Sequence, residues 1–392
     1  MKKKVAFWGS GALLAYTQVG YPALLGALAR ILPPQTETAT PPATSPPSVS
    51  LIVAAHDEET VIAAKVADAL AQDYPRERLE VIVCCDGCAD ATAQRARQAG
   101  ADVVLERPRG GKICAQDAGV ARARGDLVAF SDANARWEPA ALRHLIDAFA
   151  DPQVGYACGH VSFVDDDGPR TTAQRAARAG APRATNQEGL YWRYEMAVRS
   201  LESRLASITA GNGAIYATRR ESYLVVDPIM GHDLSLPFNM VKRGWRAIYV
   251  PAARATEKMV PTVDGEFARK RRMMSHTWPI VVRGGLLSPR GYGPLYTLMI
   301  VSHRLLRYLS PAVHGVLLLS SVALLGQGRV FTAAVIVQGA VLVAAALAPR
   351  RRGRALLVAR YYVLTTASPA AGLWDWLCQG TQAGWEAAEG TR

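Results

Sequence analysis

An uncharged run of 25 residues, Val5 to Ala29, follows directly after Lys2, Lys3 and Lys4. About 20 apolar residues suffice to cross a bilayer as a helix, so this stretch predicts a membrane span. A cleaved signal peptide would share the basic start, but its apolar core is only about 7–15 residues long. Three further runs lie near the other end: Leu309 to Leu325, uncharged apart from neutral His314; Val330 to Ala348, with no charge; and Ala355 to Cys378, carrying only Arg360 and Asp375. Each is read as a span, with a buried core helix as the alternative. Pro294 to Ser302 is too short to cross and leads into His303, Arg304 and Arg307, so it is expected to lie in the interface.

The net charge of +12 is concentrated rather than spread. Lys2 to Lys4, Arg269 to Arg272 (with Lys270), and Arg350, Arg351, Arg352 and Arg354 together carry eleven positive charges. A nucleic-acid binder distributes basic residues along a face and interleaves aromatics, so that class is excluded. Two of the clusters flank apolar runs, where membrane proteins place Lys and Arg. The arginines at 350–354 are expected on the cytoplasmic side, which makes Val330 to Ala348 run inward and places residues 33–308 in the cytoplasm. Lys2 to Lys4 conflict with this if Val5 to Ala29 crosses once. Gly9, Gly11, Gly20 and Pro22 weaken that helix, so re-entry is the alternative to crossing.

Between the apolar ends the pattern changes. Residues 33–48, with six prolines, read as an extended linker. Short β-branched runs then alternate with helical ones: Val49 to Ala54 and Glu58 to Ala71, Val81 to Cys85 and Ala89 to Gln98, Val103 to Leu105 and Lys112 to Ala123, Leu127 to Phe130 and Pro139 to Phe149. Such alternation predicts an α/β domain with a parallel, doubly wound sheet covered by helices. Ligands in these sheets sit beyond the carboxyl ends of the strands. Those ends are acidic here: Ala55-His56-Asp57-Glu58-Glu59, Asp86-Gly87, and Ser131-Asp132-Ala133-Asn134. No GxGxxG follows the first strand, and carboxylates there would repel a pyrophosphate, which argues against a dinucleotide oxidoreductase.

If the fourth strand runs to residue 134, Asp132 and Asn134 point to one side, and two oxygen ligands with open positions suit Mg2+ or Mn2+ bridging a diphosphate. Arg109-Gly110-Gly111-Lys112 forms a basic, glycine-containing turn at a helix start, suited to phosphate. Cys85 and Cys88 form a CxxC, but a structural zinc site needs four ligands and no second pair lies nearby in sequence, so all six cysteines are expected as free thiols. Tyr191, Trp192, Tyr194 and Trp245 are candidate sugar platforms or ordinary core aromatics. Asp165 to Thr185 reads as a polar insertion.

The ordered series of motifs resembles membrane-integrated bacterial family 2 glycosyltransferases of the GT-A fold, related to polysaccharide, chitin and hyaluronan synthases. The likeness rests on YTQVGYP (16–22), SLIVAAHDEE (50–59), CDGCADAT (85–92), RGGK (109–112), FSDAN (130–134), EGLYWRYE (188–195), GNGAIYATRR (211–220), GHDLSLP around Asp233 and RKRRM (269–273). It implies nucleotide-sugar contacts at Asp57, Glu59, Asp86, Lys112, Arg269 and Arg272, and a metal at Asp132 and Asn134. It also implies a catalytic base at Asp233 and an acceptor site at Gly211, Asn212, Gly213 and Trp192. Three positions depart from the family pattern: Asn134 stands for the second Asp of DxD, His232 for the acidic residue before the base, and Met273 for a Trp.

The implied activity is inverting transfer of a hexosyl or N-acetylhexosaminyl unit from a nucleotide sugar, UDP-linked by expectation, to a saccharide or lipid-linked acceptor in cell-envelope or exopolysaccharide synthesis. The enzyme would be a multi-pass protein of the inner (plasma) membrane with its catalytic domain cytoplasmic. The expected division is a membrane segment at 1–32, the linker at 33–48, the GT-A domain at 49–290, an interfacial helix and spans at 291–378, and a tail at 379–392. A membrane-bound scaffold with a degenerate site is the alternative raised by the three departures. A sugar-nucleotide pyrophosphorylase would need no membrane spans and would carry its basic glycine turn directly after the first strand.

Overall fold

The computed structural model describes residues 1–35, 45–164, 185–258, 263–351, 353–381 and 383–384. Most of the proline-rich linker, the 165–184 part of the polar insertion and the last eight residues lie outside the described residues. The alternation read between 49 and 149 folds as β1 (Val49–Ala55), β2 (Leu79–Asp86), β3 (Val103–Arg107) and β4 (Leu127–Asp132), with the helices Ile62–Leu70, Thr92–Gln98 and Lys112–Arg122 between them. These four strands are mutually parallel, as expected, in the order β3-β2-β1-β4. Every residue of β1 is buried, as in a strand covered on both faces. Neighbouring positions serve opposite faces: Leu51, Val81 and Ala129 join one core, and Ile52, Ile82 and Phe130 the other.

Beyond β4 the sheet departs from the parallel expectation. The remaining strands are β5 (Arg136–Trp137), β6 (Val154–Val164), β7 (Tyr216–Arg219) and β8 (Arg246–Lys258), and the full order is β3-β2-β1-β4-β7-β6-β8-β5. The β7 strand runs antiparallel to both β4 and β6, while β8 is parallel to β6 and antiparallel to β5. The sheet is therefore mixed, and the strand–helix rhythm of the first half does not extend through it.

Lys2–Ile31 is one continuous helix of 30 residues, about 45 Å long at 1.5 Å per residue. A π-helical turn, Tyr16–Gly20, precedes Pro22 and accommodates it, so the helix lacks the break that re-entry needs. Its second half docks on the α/β domain: Tyr21, Leu25 and Ala29 are buried against Val198, Leu234, Phe238 and Trp278. Polar contacts reinforce the dock. The Tyr21 hydroxyl donates to Glu202 (2.7 Å), whose carboxylate also meets His303 Nδ1 (2.7 Å), and Arg304 donates to Thr209 (2.9 Å).

Among the described residues, Arg329–Leu347 is the other helix long and apolar enough to cross a membrane. The expectation for Leu309 to Leu325 changes: its helix, Ser310–Val322, has 13 residues, and it reaches spanning length only if joined to Pro294–Tyr308 across a 62° bend. Ala355 to Cys378 needs a larger correction. Its helix, Arg354–Gln379, is not among those apolar enough to cross, and it packs along the Val263–Val282 helix. The two charges in the run explain the docking. Asp375 accepts a two-pronged bond from Arg271 (2.6 and 2.6 Å), and Arg360 pairs with Asp264. Lys270 reaches the Tyr361 hydroxyl (2.9 Å) and the Trp278 indole donates to the Pro369 carbonyl (2.8 Å). A Cβ on Gly372 would lie 2.6 Å from Met274 Cβ, so only glycine permits this helix separation.

Candidate active site

Opposite register positions level the carboxyl ends of three strands, Ala54 beside Asp132 and Ala55 beside Cys85. The chain switches direction of winding between β1 and β4, where open α/β sheets hold their ligands. Asp132 closes β4 there, and its carboxylate is ion-paired with Lys112, the first residue of its helix. Gly213 forms the adjoining surface: a Cβ at this position would stand 3.1 Å from Lys112 Nζ and 3.5 Å from Asp132 Oδ2. Burial works to lower the Lys112 ammonium, but Asp132, with Glu257 and Asp233 behind it, holds it above its ordinary value. One lysine thus lies within the field of three carboxylates.

Glu257, near the end of β8, was not anticipated. Burial first, and then repulsion from Asp132, raise its carboxyl to about 7, against the pull of Lys112, Arg269 and Lys65. No local sequence signal marks it, because Asp132, Lys112 and Lys65 each lie more than a hundred residues away in the chain. Asp233 sits in the first turn of the His232–Lys242 helix, and its carbonyl accepts the Gly211 amide (2.7 Å). The preceding His232 is buried. Tyr223 spends its hydroxyl proton on Asp117 (2.6 Å), so it accepts from His232 Nε2 (3.3 Å), while Tyr216 donates to Nδ1 (2.9 Å). Burial and then the Lys112 charge lower the imidazole to about 3, so His232 is a neutral scaffold residue rather than a charged substitute for an acid.

Asn134 does not share a strand face with Asp132. The strand stops at Asp132 and Asn134 falls in the turn after it, so the period-two expectation does not apply. The Asp132 carboxylate itself suits a hard divalent cation, with Gly213 leaving room beside it.

The basic turn is organised differently from expectation. Asp86 is buried, and its carboxylate takes the amides of Gly110 (2.6 Å) and Gly111 (3.0 and 3.1 Å). Those N–H groups hold the turn to β2 instead of forming an open phosphate cradle, and Asp86 acts as its anchor. Gly111, at φ 94°, supplies the conformation the turn requires. Asp57 accepts the Ala89 amide (2.8 Å), and Glu59 accepts the Ala91 amide (3.3 Å) beside Arg95 (3.7 Å). Both therefore brace the segment leading into the Thr92–Gln98 helix.

The expected acceptor residues divide. Gly213 belongs to the Asp132 cluster, but Asn212 is buried and committed to Gly159, Ala214 and Ile215 (2.8–3.2 Å). Gly211 is required for packing, since a Cβ there would lie 2.0 Å from the Tyr156 hydroxyl. Trp192 donates its indole N–H to the Val161 carbonyl and packs edge-on to Phe163, which makes it part of the core rather than an open platform. The Tyr194 hydroxyl bonds the Gln18 carbonyl (3.0 Å) and Trp245 covers Gly155; the Tyr191 side chain lies outside the described residues. Arg269 forks onto Glu266 (2.7 and 2.8 Å) within the field of Glu257, whereas Arg272 is exposed on the same helix.

The mixed GT-A sheet and an acidic cluster at the switch point define a glycosyltransferase architecture. The chain matches the model for glycosyltransferase-like family 2 over residues 46–275, more than half its length, and it belongs to that family. Among solved structures it is similar to a mannosyltransferase from Pyrobaculum calidifontis in complex with GDP-Man and Mn2+, at 22% identity and a TM-score of 0.66, covering 96% of this chain and 99% of that one. It is 26% identical over 243 residues to an N-acetylglucosaminyltransferase of Rhizobium sp. (strain N33), covering 57% of this chain and 51% of the relative. A beta-monoglucosyldiacylglycerol synthase of Synechocystis is 32% identical over 166 residues, with 38% and 33% covered. The chain thus spans a third to about half of these two curated relatives.

Proposed function

We propose that the protein is a membrane-integrated, metal-dependent, inverting glycosyltransferase that moves a hexosyl or N-acetylhexosaminyl unit from a nucleoside diphosphate sugar to a saccharide or lipid-linked acceptor. The observation that carries this is the Asp132–Lys112 ion pair beside Gly213 at the switch point, with Glu257 and Asp233 within the electrostatic reach of that lysine. Asp132 would hold Mg2+ or Mn2+, and the bound ion would neutralise charge on the departing diphosphate. Lys112, released from Asp132 as the ion enters, would contribute a second positive charge to the diphosphate, with Arg269 from the Val263–Val282 helix. Asp233 would take the proton of the attacking acceptor hydroxyl, a role worth about 10²- to 10⁴-fold in rate. With no nucleophile required between donor and acceptor, one displacement inverts the anomeric carbon.

The relatives' names support sugar transfer while differing in the sugar, so the donor is assigned by class. Two helices of spanning character support a membrane location, with the catalytic domain on the cytoplasmic side where the 350–354 arginines are expected. The test is calorimetric titration of the detergent-solubilised full chain with UDP-, GDP- and dTDP-sugars, with and without Mn2+, and of Asp132→Ala. The expected outcome is one donor class bound only with metal, and lost in the variant. Donor binding unchanged in chelator would remove the metal role, and binding of none of them would favour the degenerate scaffold.

A further inference from the structure

We infer that His56, Asp57 and Cys88 form a second cation site, selective for a soft divalent ion such as Zn2+, at the carboxyl ends of β1 and β2. Their donor atoms lie within 4.8 Å of one another. Zinc bonds of about 2.0–2.3 Å to N, O and S put neighbouring ligand atoms about 3.3–3.8 Å apart in a tetrahedral centre. His56 Nε2 and Asp57 Oδ2 already stand at 3.5 Å, beyond the usual hydrogen-bond window of about 2.7–3.2 Å. Their spacing suits a shared ion better than a shared proton.

Each ligand is oriented by a partner behind it. His56 Nδ1 lies 2.7 Å from the Asp86 carbonyl oxygen, which can only accept, so the proton is on Nδ1 and Nε2 is the coordinating nitrogen. The Ala89 amide holds Asp57 Oδ1 at 2.8 Å and turns Oδ2 toward His56. The Cys88 thiol faces the Ala55 carbonyl at 3.4 Å, and its proton would leave to solvent as the S–metal bond forms. Three protein ligands leave a fourth position for water. Thiolate and imidazole favour zinc, whereas the carboxylate of Asp132 favours Mg2+ or Mn2+, so chemistry separates the two sites. Cys88 and Cys85 are free thiols, and sequence spacing alone did not bring a histidine beside them.

One consequence rests on the proposed function: zinc would engage Asp57, a donor contact in that reading, and so oppose donor binding. The experiment uses the full chain in detergent, reduced and stripped of metal, titrated with Co2+ and then Zn2+. A thiolate-to-cobalt charge-transfer band, bleached by an equivalent of Zn2+, is expected. Cys88→Ser should abolish the band, His56→Gln should weaken Zn2+ binding about tenfold or more, and Cys85→Ala and Asp132→Ala should leave both readouts unchanged. Absence of the band, or its survival in Cys88→Ser with an unaltered melting curve, overturns the site. Steady-state transfer then separates the two ideas: zinc should raise the donor KM without lowering kcat, and zinc bound at Cys88 with the donor KM unmoved keeps the cation site while removing Asp57 from the donor pocket.

Discussion

Acid should destabilise the fold through His232 by an amount that can be worked out from its surroundings. The ring is 3% exposed, and burial followed by the Lys112 charge lowers its imidazole from 6.5 to about 3. Since the folded value lies below the unfolded one, the contribution to stability is complete above 6.5 and is lost as the pH falls toward 3. At about pH 5 the unfolded chain gains a proton that the folded chain refuses, costing about 2 kcal/mol relative to about pH 7.5. His232→Gln keeps hydrogen-bonding capacity toward Tyr216 and Tyr223 but cannot titrate. Urea unfolding in detergent, followed by tryptophan fluorescence at both pH values, should show the wild type losing about 2 kcal/mol more than the variant on acidification. Carboxylates common to both proteins cancel in that difference. Equal losses would mean that His232 accepts a proton in the folded chain, refuting the neutral, buried assignment.

Asp233→Asn should abolish transfer while leaving donor affinity within about threefold, because a base acts on the acceptor proton; matched losses of rate and affinity would make it a binding residue. Gly213→Ala should weaken metal-dependent donor binding without lowering the melting temperature, since its methyl would stand 3.1 Å from Lys112 Nζ; calorimetry and a melt decide. In a double-mutant cycle, Arg271→Ala and Asp375→Ala should couple by less than about 1 kcal/mol, as expected for a partly exposed pair, yet either should raise the diphosphate inhibition constant by loosening the Arg269 helix. Single cysteines at Thr40 and Gly328 in a cysteine-free chain should react with an impermeant reagent on intact cells at 328 and not at 40; labelling at 40 would refute the cytoplasmic domain.

The parallel half of the sheet was legible because its strands are local, β-branched and punctuated by helices of one period. From that half came the acidic carboxyl edge that holds Asp132, together with Lys112 at the start of the helix that precedes β4. Asn134 misled because periodicity gives a strand's face but not its last residue. The anchoring of the glycine turn by Asp86 was not legible, because its carboxylate takes amides 24 and 25 residues later in the chain. Glu257 was invisible, since only the fold buries it beside Asp132. The charges at Arg360 and Asp375 were plain in the apolar run, but their partners, Asp264 and Arg271, lie about a hundred residues away, and that pairing separates a docked helix from a span.

The platform beneath Asp233 links the chemistry to the membrane-side helices. Leu234 and Phe238, on the Asp233 helix, bury into the same cluster as Tyr21 and Leu25 of the first helix, Trp278 of the arginine-bearing helix, and Ile300. From the Thr185–Leu205 helix, Arg199 donates to the Gly211 carbonyl (2.9 Å), and the Gly211 amide in turn donates to the Asp233 carbonyl (2.7 Å). Glu202, one helical turn further along, receives the Tyr21 hydroxyl. Docking of the first helix and the backbone position of Asp233 therefore depend on one element, and displacement of that helix would reach Asp233 through its main chain.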